Sequence, residues 1–375
     1  MLHPIFLIIF AILLILFLNS ERMNASNTQK TLWFTAFLMI IAAGGRDWVG
    51  ADYPVYRSMY NFGFPNFTTY EDVWNKATFQ PNTMDIEWFY VLVNKILFDF
   101  RMSFHVLTFL LAIASISMQV STFHKYSALP VLSMIFYFMP IYFITDCGQM
   151  RQGIGTAICI FSIRYIVERK VWKFLLCIFF ALGMHKSTII FLPAYWIAAL
   201  PINGVRWIPI IVTCMILAPF KAYALFGGLI ESIAPQEISD SYTGYSADKY
   251  YGNELETGLG DVINLFLIIL IILYDKKGEK KIYYFEYFRN LALFGYCLYY
   301  IFRGNAIFAT RLPGVYMAFS GYFAIPGIMM AMKKEIFRVL KLGFIVYFLL
   351  LCYAFSKVNA VKGSFTKDKY HNILW

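Results

Sequence analysis

Charge is scarce in this 375-residue chain: Asp, Glu, Lys and Arg make up 14% of it, against 60% hydrophobic residues. So few charges do not cover the surface of a water-soluble fold of this length, which leaves a protein solvated by lipid. Carboxylates are fewer than cations, giving a formal net charge of +10. That excess does not point to nucleic acid, because the lysines sit in short loops between apolar runs. Cysteine is sparse as well. Cys147, Cys159, Cys177, Cys214, Cys297 and Cys352 are scattered, mostly inside apolar segments, and read as small core residues rather than a disulfide framework or a metal-binding set. The chain also lacks a nucleotide-binding loop, an HExxH pair and a nucleophile elbow. No metal or other cofactor is expected, and the donor of any group transfer is not a nucleotide held by a soluble domain.

What is abundant is apolar sequence in runs of membrane-spanning length, with mean hydropathy +0.61 and 19% aromatics, many of them Tyr and Trp near the run ends. Spans are expected near 2–18, 31–45, 104–122, 127–145, 150–168, 171–184, 187–200, 206–220, 258–274, 287–303, 312–331 and 337–355. The expected fold is an all-α polytopic membrane protein of about 12 helices, read as one membrane domain over 1–375. Residues 2–18 lack a basic leader and a small-residue cleavage site, so they read as a retained anchor. No repeat or low-complexity tract interrupts the pattern.

Basic junctions set the orientation. Arg169-Lys170 with Lys173, Lys276-Lys277, Lys280-Lys281, and Lys333-Lys334 with Arg338 and Lys341 are expected inside, which puts Arg46, Arg151, His185 and Arg311 outside. The alternation requires that 86–100, which carries Glu87, Asn94 and Lys95, lie along the interface or re-enter rather than cross. It also puts the basic tail (Lys357, Lys362, Lys367, Lys369) outside, against the rule. Residues 46–103 then form an external loop with short interfacial helices. Residues 221–257, rich in Tyr and Gly, form a second external loop that reads either as a lid or as a solvated connection.

The outside helix ends favour Arg, whose planar fork grips phosphate at two points, while the inside junctions favour Lys. Four constellations stand out. Asp146-Cys147-Gly148-Gln149-Met150-Arg151-Gln152 opens a helix whose first turn suits an anion, or else Arg151 pairs with Asp146. Met184-His185-Lys186-Ser187 turns tightly between two apolar segments, with His185 able to accept a hydroxyl proton and Ser187 able to cap the next span, or with a purely structural histidine. Gly44-Gly45-Arg46-Asp47 runs to Asp52-Tyr53 and Tyr56, in which Asp52 reads as a base or as a cap; Glu87 offers the same choice, and either could instead bridge to Arg46 or Arg57. Arg303 and Arg311 flank the last outside loop.

At Gly45-Arg46-Asp47 with Asp52-Tyr53 and Tyr56, Glu87, Arg151-Gln152, His185 with Ser187, and Arg311-Leu312, the chain resembles the EpsG family of bacterial, Wzy-like exopolysaccharide and O-antigen polymerases. The stretch Asp146-Cys147-Gly148-Gln149 departs from the apolar or Asn-containing approach expected before Arg151. The resemblance implies an integral membrane glycosyltransferase, related in architecture to the GT-C class. Such an enzyme joins undecaprenyl-pyrophosphate-linked oligosaccharide units on the outer face of the bacterial cytoplasmic membrane. Its partners would be that lipid-linked glycan, the membrane lipids and a chain-length regulator. His185, Asp52 and Glu87 become the catalytic candidates. Arg46, Arg151, Gln152, Arg303, Arg311, Ser187, Tyr53 and Tyr56 become the pyrophosphate and substrate contacts. A lipid-linked glycan ligase or another GT-C-type transferase would use the same chemistry. A flippase would instead carry its cations at mid-membrane depth in a cavity.

Overall fold

The computed structural model describes residues 1–21, 24–77, 86–220 and 254–375. Nearly all ordered structure is helical, and the protein is an all-α membrane protein. Most of the 221–257 loop, expected to be a lid or a connection, lies outside the described residues. The chain forms two compact units. One comprises Met1–Phe161, Phe179–His185 and Met332–Trp375; the other comprises Ser162–Ile178 and Lys186–Ala331.

The first unit starts with α1 (Pro4–Asn19) and α2 (Ala25–Gly44), then a two-residue strand β1 (Arg46–Asp47). Three short helices follow: α3 (Tyr53–Phe62), α4 (Tyr70–Ala77) and α5 (Trp88–Asp99). At 12 residues α5 is about 18 Å long, against a bilayer core of about 30 Å. Helix α6 (Phe104–Tyr126) is long and apolar enough to span a membrane. Its buried polar residues Thr108, Ser115, Gln119 and Thr122 share one inward face. Helix α7 (Pro130–Phe136) is followed by the stretch Tyr137–Tyr142, which kinks at Met139, and then by the turn that opens α8 (Met150–Phe161).

Next come α9 (Ile163–Val167) and α10 (Val171–Met184), a helix whose start belongs to the second unit and whose last residues belong to the first. The expected continuous span 187–200 is absent. A 3-10 turn (Lys186–Phe191) and the four-residue α11 (Ala194–Ile197) replace it. Pro193 between them has no N–H to donate, and the chain cannot run on as one α-helix.

The second unit continues with α12 (Gly204–Leu217), α13 (Leu259–Leu273), α14 (Asp275–Lys281), α15 (Phe285–Ile301), α16 (Ala306–Arg311), α17 (Gly314–Phe319) and α18 (Ile325–Ala331). Residues Ala306–Ala331 together form an apolar path of spanning length. Arg289 is its buried electrostatic hub. It pairs with Asp275 at 2.5 Å and with Glu279, and donates to the Ile202 carbonyl at 2.5 Å. Asp275 also accepts from Gly204 N at 2.7 Å, so its carboxylate joins the start of α12 to α15.

The first unit closes with α19 (Lys334–Lys362) and β2 (His371–Asn372). The outer face of α19 exposes Val339, Leu342, Val346, Leu349, Leu350 and Tyr353, an apolar surface suited to lipid. Two ends of this unit are distinguishable. At one, Lys341 Nζ donates to Leu18 O at 2.8 Å and pairs with Glu21 at 3.2 Å. At the other, His3 N donates to Phe365 O at 2.9 Å, and β2 pairs antiparallel with β1.

Candidate functional site

The polar groups gather at the β1–β2 end of the first unit, over a floor of aromatic side chains. Helices α3 and α5 are short, at 10 and 12 residues, and each lays one face on the helices beneath. Tyr53, Tyr56 and Tyr60 from α3, Tyr90 and Val91 from α5, Phe104 and Leu107 from α6, Met150 and Ile154 from α8 and Met184 from α10 form one buried cluster. The i, i+3 and i+7 spacing of the three tyrosines puts them on a single face of α3.

On this floor sits a carboxylate between two cations. Glu87 Oε2 accepts from Arg151 Nη1 at 2.6 Å, and Glu87 Oε1 lies 3.9 Å from His185 Nδ1. Glu87 occupies the N-cap position of α5 but makes no side-chain cap bond, because its carboxylate turns toward Arg151. Arg151, in the first turn of α8, lies 5.6 Å from the ring centre of Tyr56 and 5.7 Å from that of Tyr90. The Nε of Arg151 and the Oε1 of Gln152 are buried with no hydrogen-bond partner among the described residues. The cation therefore keeps donor capacity beyond its ion pair. The alternative pairing of Arg151 with Asp146 does not form. Asp146 instead accepts from Ser115 at 2.5 Å, Tyr137 at 2.8 Å and Thr145 at 2.8 Å.

A second cluster adjoins it through the first turn of α3. Asp47 accepts from Arg57 Nη1 at 2.5 Å and from the Tyr53 hydroxyl at 3.2 Å, and lies 3.7 Å from His105 Nε2. Arg57 stacks over the exposed Trp48 at 4.8 Å. Burial, with the Asp47 carboxylate alongside, pushes the Tyr53 phenol up to about 12, so it remains a neutral donor at any physiological pH. Gly50 completes the turn between β1 and α3 with φ of +108°. A Cβ there would stand 2.1 Å from the Cys147 carbonyl, so only glycine lets the two loops meet.

The candidates divide between the two units. Arg46, Asp52, Tyr53, Tyr56, Glu87, Arg151, Gln152 and His185 belong to the first; Ser187, Arg303 and Arg311 belong to the second. Arg46 is fully buried, at 0% exposure, with Nη1 on the Ala43 carbonyl and with Nε and Nη2 unpartnered among the described residues. Asp52 stands at the N-cap of α3 without a side-chain cap bond, and it is Asp47 that takes Arg57. Arg303 is held by Asp261 of α13 through both carboxylate oxygens, the Nη2 contact being 3.1 Å, with Thr257 at 3.0 Å. Arg311 ends α16, and Ser187 lies in the 3-10 turn after His185.

Tyr90 and His105 enter the site without having been singled out, and Asp47 and Arg57, noted in the sequence only within the Arg46-Asp47 motif and as a possible salt-bridge partner, join them. His105 carried a usable signal, as a polar residue in the first turn of an apolar span. No grouping of His, Cys, Asp and Glu among the described residues has the arrangement of a metal site. No curated protein and no solved structure matches the chain. The EpsG family model matches residues 30–370, taking in both polar clusters and both units, and this chain belongs to the EpsG family.

Proposed function

We propose that this protein is a membrane glycosyltransferase that polymerises undecaprenyl-pyrophosphate-linked oligosaccharide repeat units into polysaccharide. In this reading the chain is one membrane domain of about 12 crossings in the bacterial cytoplasmic membrane, with the β1–β2 end of the first unit outside. The lysine-rich end of α19, with Arg338 and Lys341 near Glu21, supports that orientation by the positive-inside rule. Membership of a family of polysaccharide polymerases supports the reaction class.

The observation that carries the reading is Glu87 standing between Arg151 and His185, three residues drawn from α5, α8 and the end of α10. Polymerisation needs a hydroxyl on one lipid-linked unit to attack the anomeric carbon of another. The bond from that carbon to the diphosphate oxygen breaks, its electron pair leaves with the lipid pyrophosphate, and the hydroxyl proton passes to a base. A guanidinium pinned by a carboxylate and flanked by two tyrosine rings is preorganised for the charge that grows on the leaving diphosphate. In this reading His185 takes the proton, with Glu87 orienting its ring and stabilising the imidazolium; Asp52 at the head of α3 is the other candidate base. Tyr53, Tyr56 and exposed Trp48 offer flat surfaces of the kind sugar rings stack on. Arg303, Arg311 and Ser187 are further candidate contacts for the glycan or the lipid headgroup, and a chain-length regulator would act on the growing product.

Protein purified into lipid nanodiscs and given lipid-linked repeat units alone tests this. A polymerase makes a ladder of glycans, a ligase needs a second acceptor, and a flippase makes nothing new. Arg151→Ala and His185→Ala proteins should insert normally yet make no long chains; wild-type chain lengths in both would remove these residues from the chemistry.

A further inference from the structure

The last residues of the chain are tied to the site at several points. Helix α2 ends at Gly44; Gly45 N still reaches the Ile41 carbonyl at 3.0 Å, but the carbonyls beyond it have no helical donors left, and near a membrane water is a poor substitute. Side chains and the C-terminal segment supply the donors. Asn372 Nδ2 donates to Ile41 O at 3.0 Å, the Tyr370 hydroxyl to Ala42 O at 2.8 Å and Arg46 to Ala43 O. Thr108 donates to Gly44 O at 2.6 Å, and Ile373 N to Gly45 O at 2.8 Å. Three of these five donors come from residues 370–373. Asn372 Nδ2 also lies 2.9 Å from the Tyr370 oxygen, and Asn372 Oδ1 accepts from Leu374 N at 3.1 Å, so the tail is braced internally.

The same segment grips the far side of the loop. Ser364 Oγ accepts from Gly50 N at 3.0 Å, while Asp47 faces His371 in the β1–β2 register. Asp47 is thus bounded on both sides, by Gly45 and Gly50, and the tail holds each. Fit at the near side is close: a Cβ at Gly45 would fall 2.4 Å from Asn372 Oδ1. Asp47 in turn gathers Arg57, Tyr53 and His105.

We infer that residues 363–375 are a positioning element for the glycan-transfer site: pairing with β1, they set the Asp47 carboxylate, and through it Arg57, against the incoming lipid-linked glycan. The inference rests on the polymerase reading. Asn372 and Tyr370 touch no substrate and act only through Asp47.

The test is a double-mutant cycle on the full chain in nanodiscs, scored by turnover of lipid-linked repeat units. Asn372→Ala should lower kcat about ten- to a hundredfold with KM little changed, the scale of loss expected when a catalytic group shifts by about 1 Å. In an Asp47→Asn background the same change should cost under about twofold, since the two act on one path. Tyr370→Phe removes a single hydroxyl and should lower kcat several-fold in a protein that still folds, with only a modest loss of thermal stability, which keeps the test valid if Asn372→Ala does not fold. Wild-type kcat in both Asn372→Ala and Tyr370→Phe would overturn the inference, as would an equal loss with and without the Asp47 carboxylate. A wild-type protein that makes no ladder would overturn the polymerase reading, and this inference with it, which separates the two failures.

Discussion

Two arginine–carboxylate centres in this protein look alike on paper and differ in kind. Arg289 in the second unit is 2% exposed, and it meets two carboxylates, a backbone carbonyl and the side chain of Asn290. Arg151 in the first unit is 20% exposed, meets one carboxylate, and keeps a buried Nε with no partner among the described residues. A guanidinium saturated by its own chain is a structural bolt. One that meets a single carboxylate and keeps donor capacity is, in the proposed reading, a contact for the substrate diphosphate. The contrast predicts opposite failures on mutation.

The largest effect should come from Arg289→Met. It strands Asp275 in a buried setting, and breaking such a pair from one side costs about 3–5 kcal/mol. Recovery of folded, detergent-stable protein should collapse. Normal yield and thermal stability would erase the distinction between the two centres. Arg151→Ala should do the reverse, leaving yield near wild type while lowering glycan polymerisation by about 10²–10³, the usual loss when one preorganised charge-stabilising donor is removed. Glu87→Gln keeps the shape of the cap residue and removes its charge. It should cost turnover rather than stability, by about ten- to a hundredfold, because the imidazole of His185 loses its orienting anion.

The smallest effect sharpens the picture within the first unit. Tyr53→Phe deletes one hydroxyl that donates to Asp47, a bond worth about 1 kcal/mol, so turnover should fall no more than about fivefold. Because burial raises this phenol from 10 to about 12, it is neutral throughout pH 6–9, and the pH–rate profiles of the two proteins should run parallel there. The sign follows from linkage: any stability gained from keeping the phenol protonated is complete below pH 10 and disappears as pH rises through about 12. A pH limb near neutrality that Tyr53→Phe abolishes would show that this group is not buried as described.

Much of this was legible in the order of residues. Apolar run length marked the helices, and the shortness of 86–100 marked a short helix there, which α5 is at 12 residues. Arg151, His185 and Glu87 were each visible as polar residues at the edges of apolar runs. Their partnership was not, because no periodic pattern relates positions 64 residues apart, and the nearer Asp146 was the obvious mate for Arg151. Asp146 had other hydrogen-bond donors, Ser115 and Tyr137, on helices that only folding brings beside it. The tail was opaque for a similar reason. Its basic residues suggested a location by charge, whereas its position follows from carbonyls at the end of α2 that need donors.

Composition and periodicity alone determined that this chain lives in lipid, that its backbone is helical, and where along it the strong charges interrupt the apolar runs. Those properties are local, since burying a peptide group away from water forces its hydrogen bonds into the helix that contains it. Which charge meets which was decided only by the tertiary structure. An ion pair depends on distance in space, and in this protein packing brings together α5, α8, the end of α10 and the last residues of the chain.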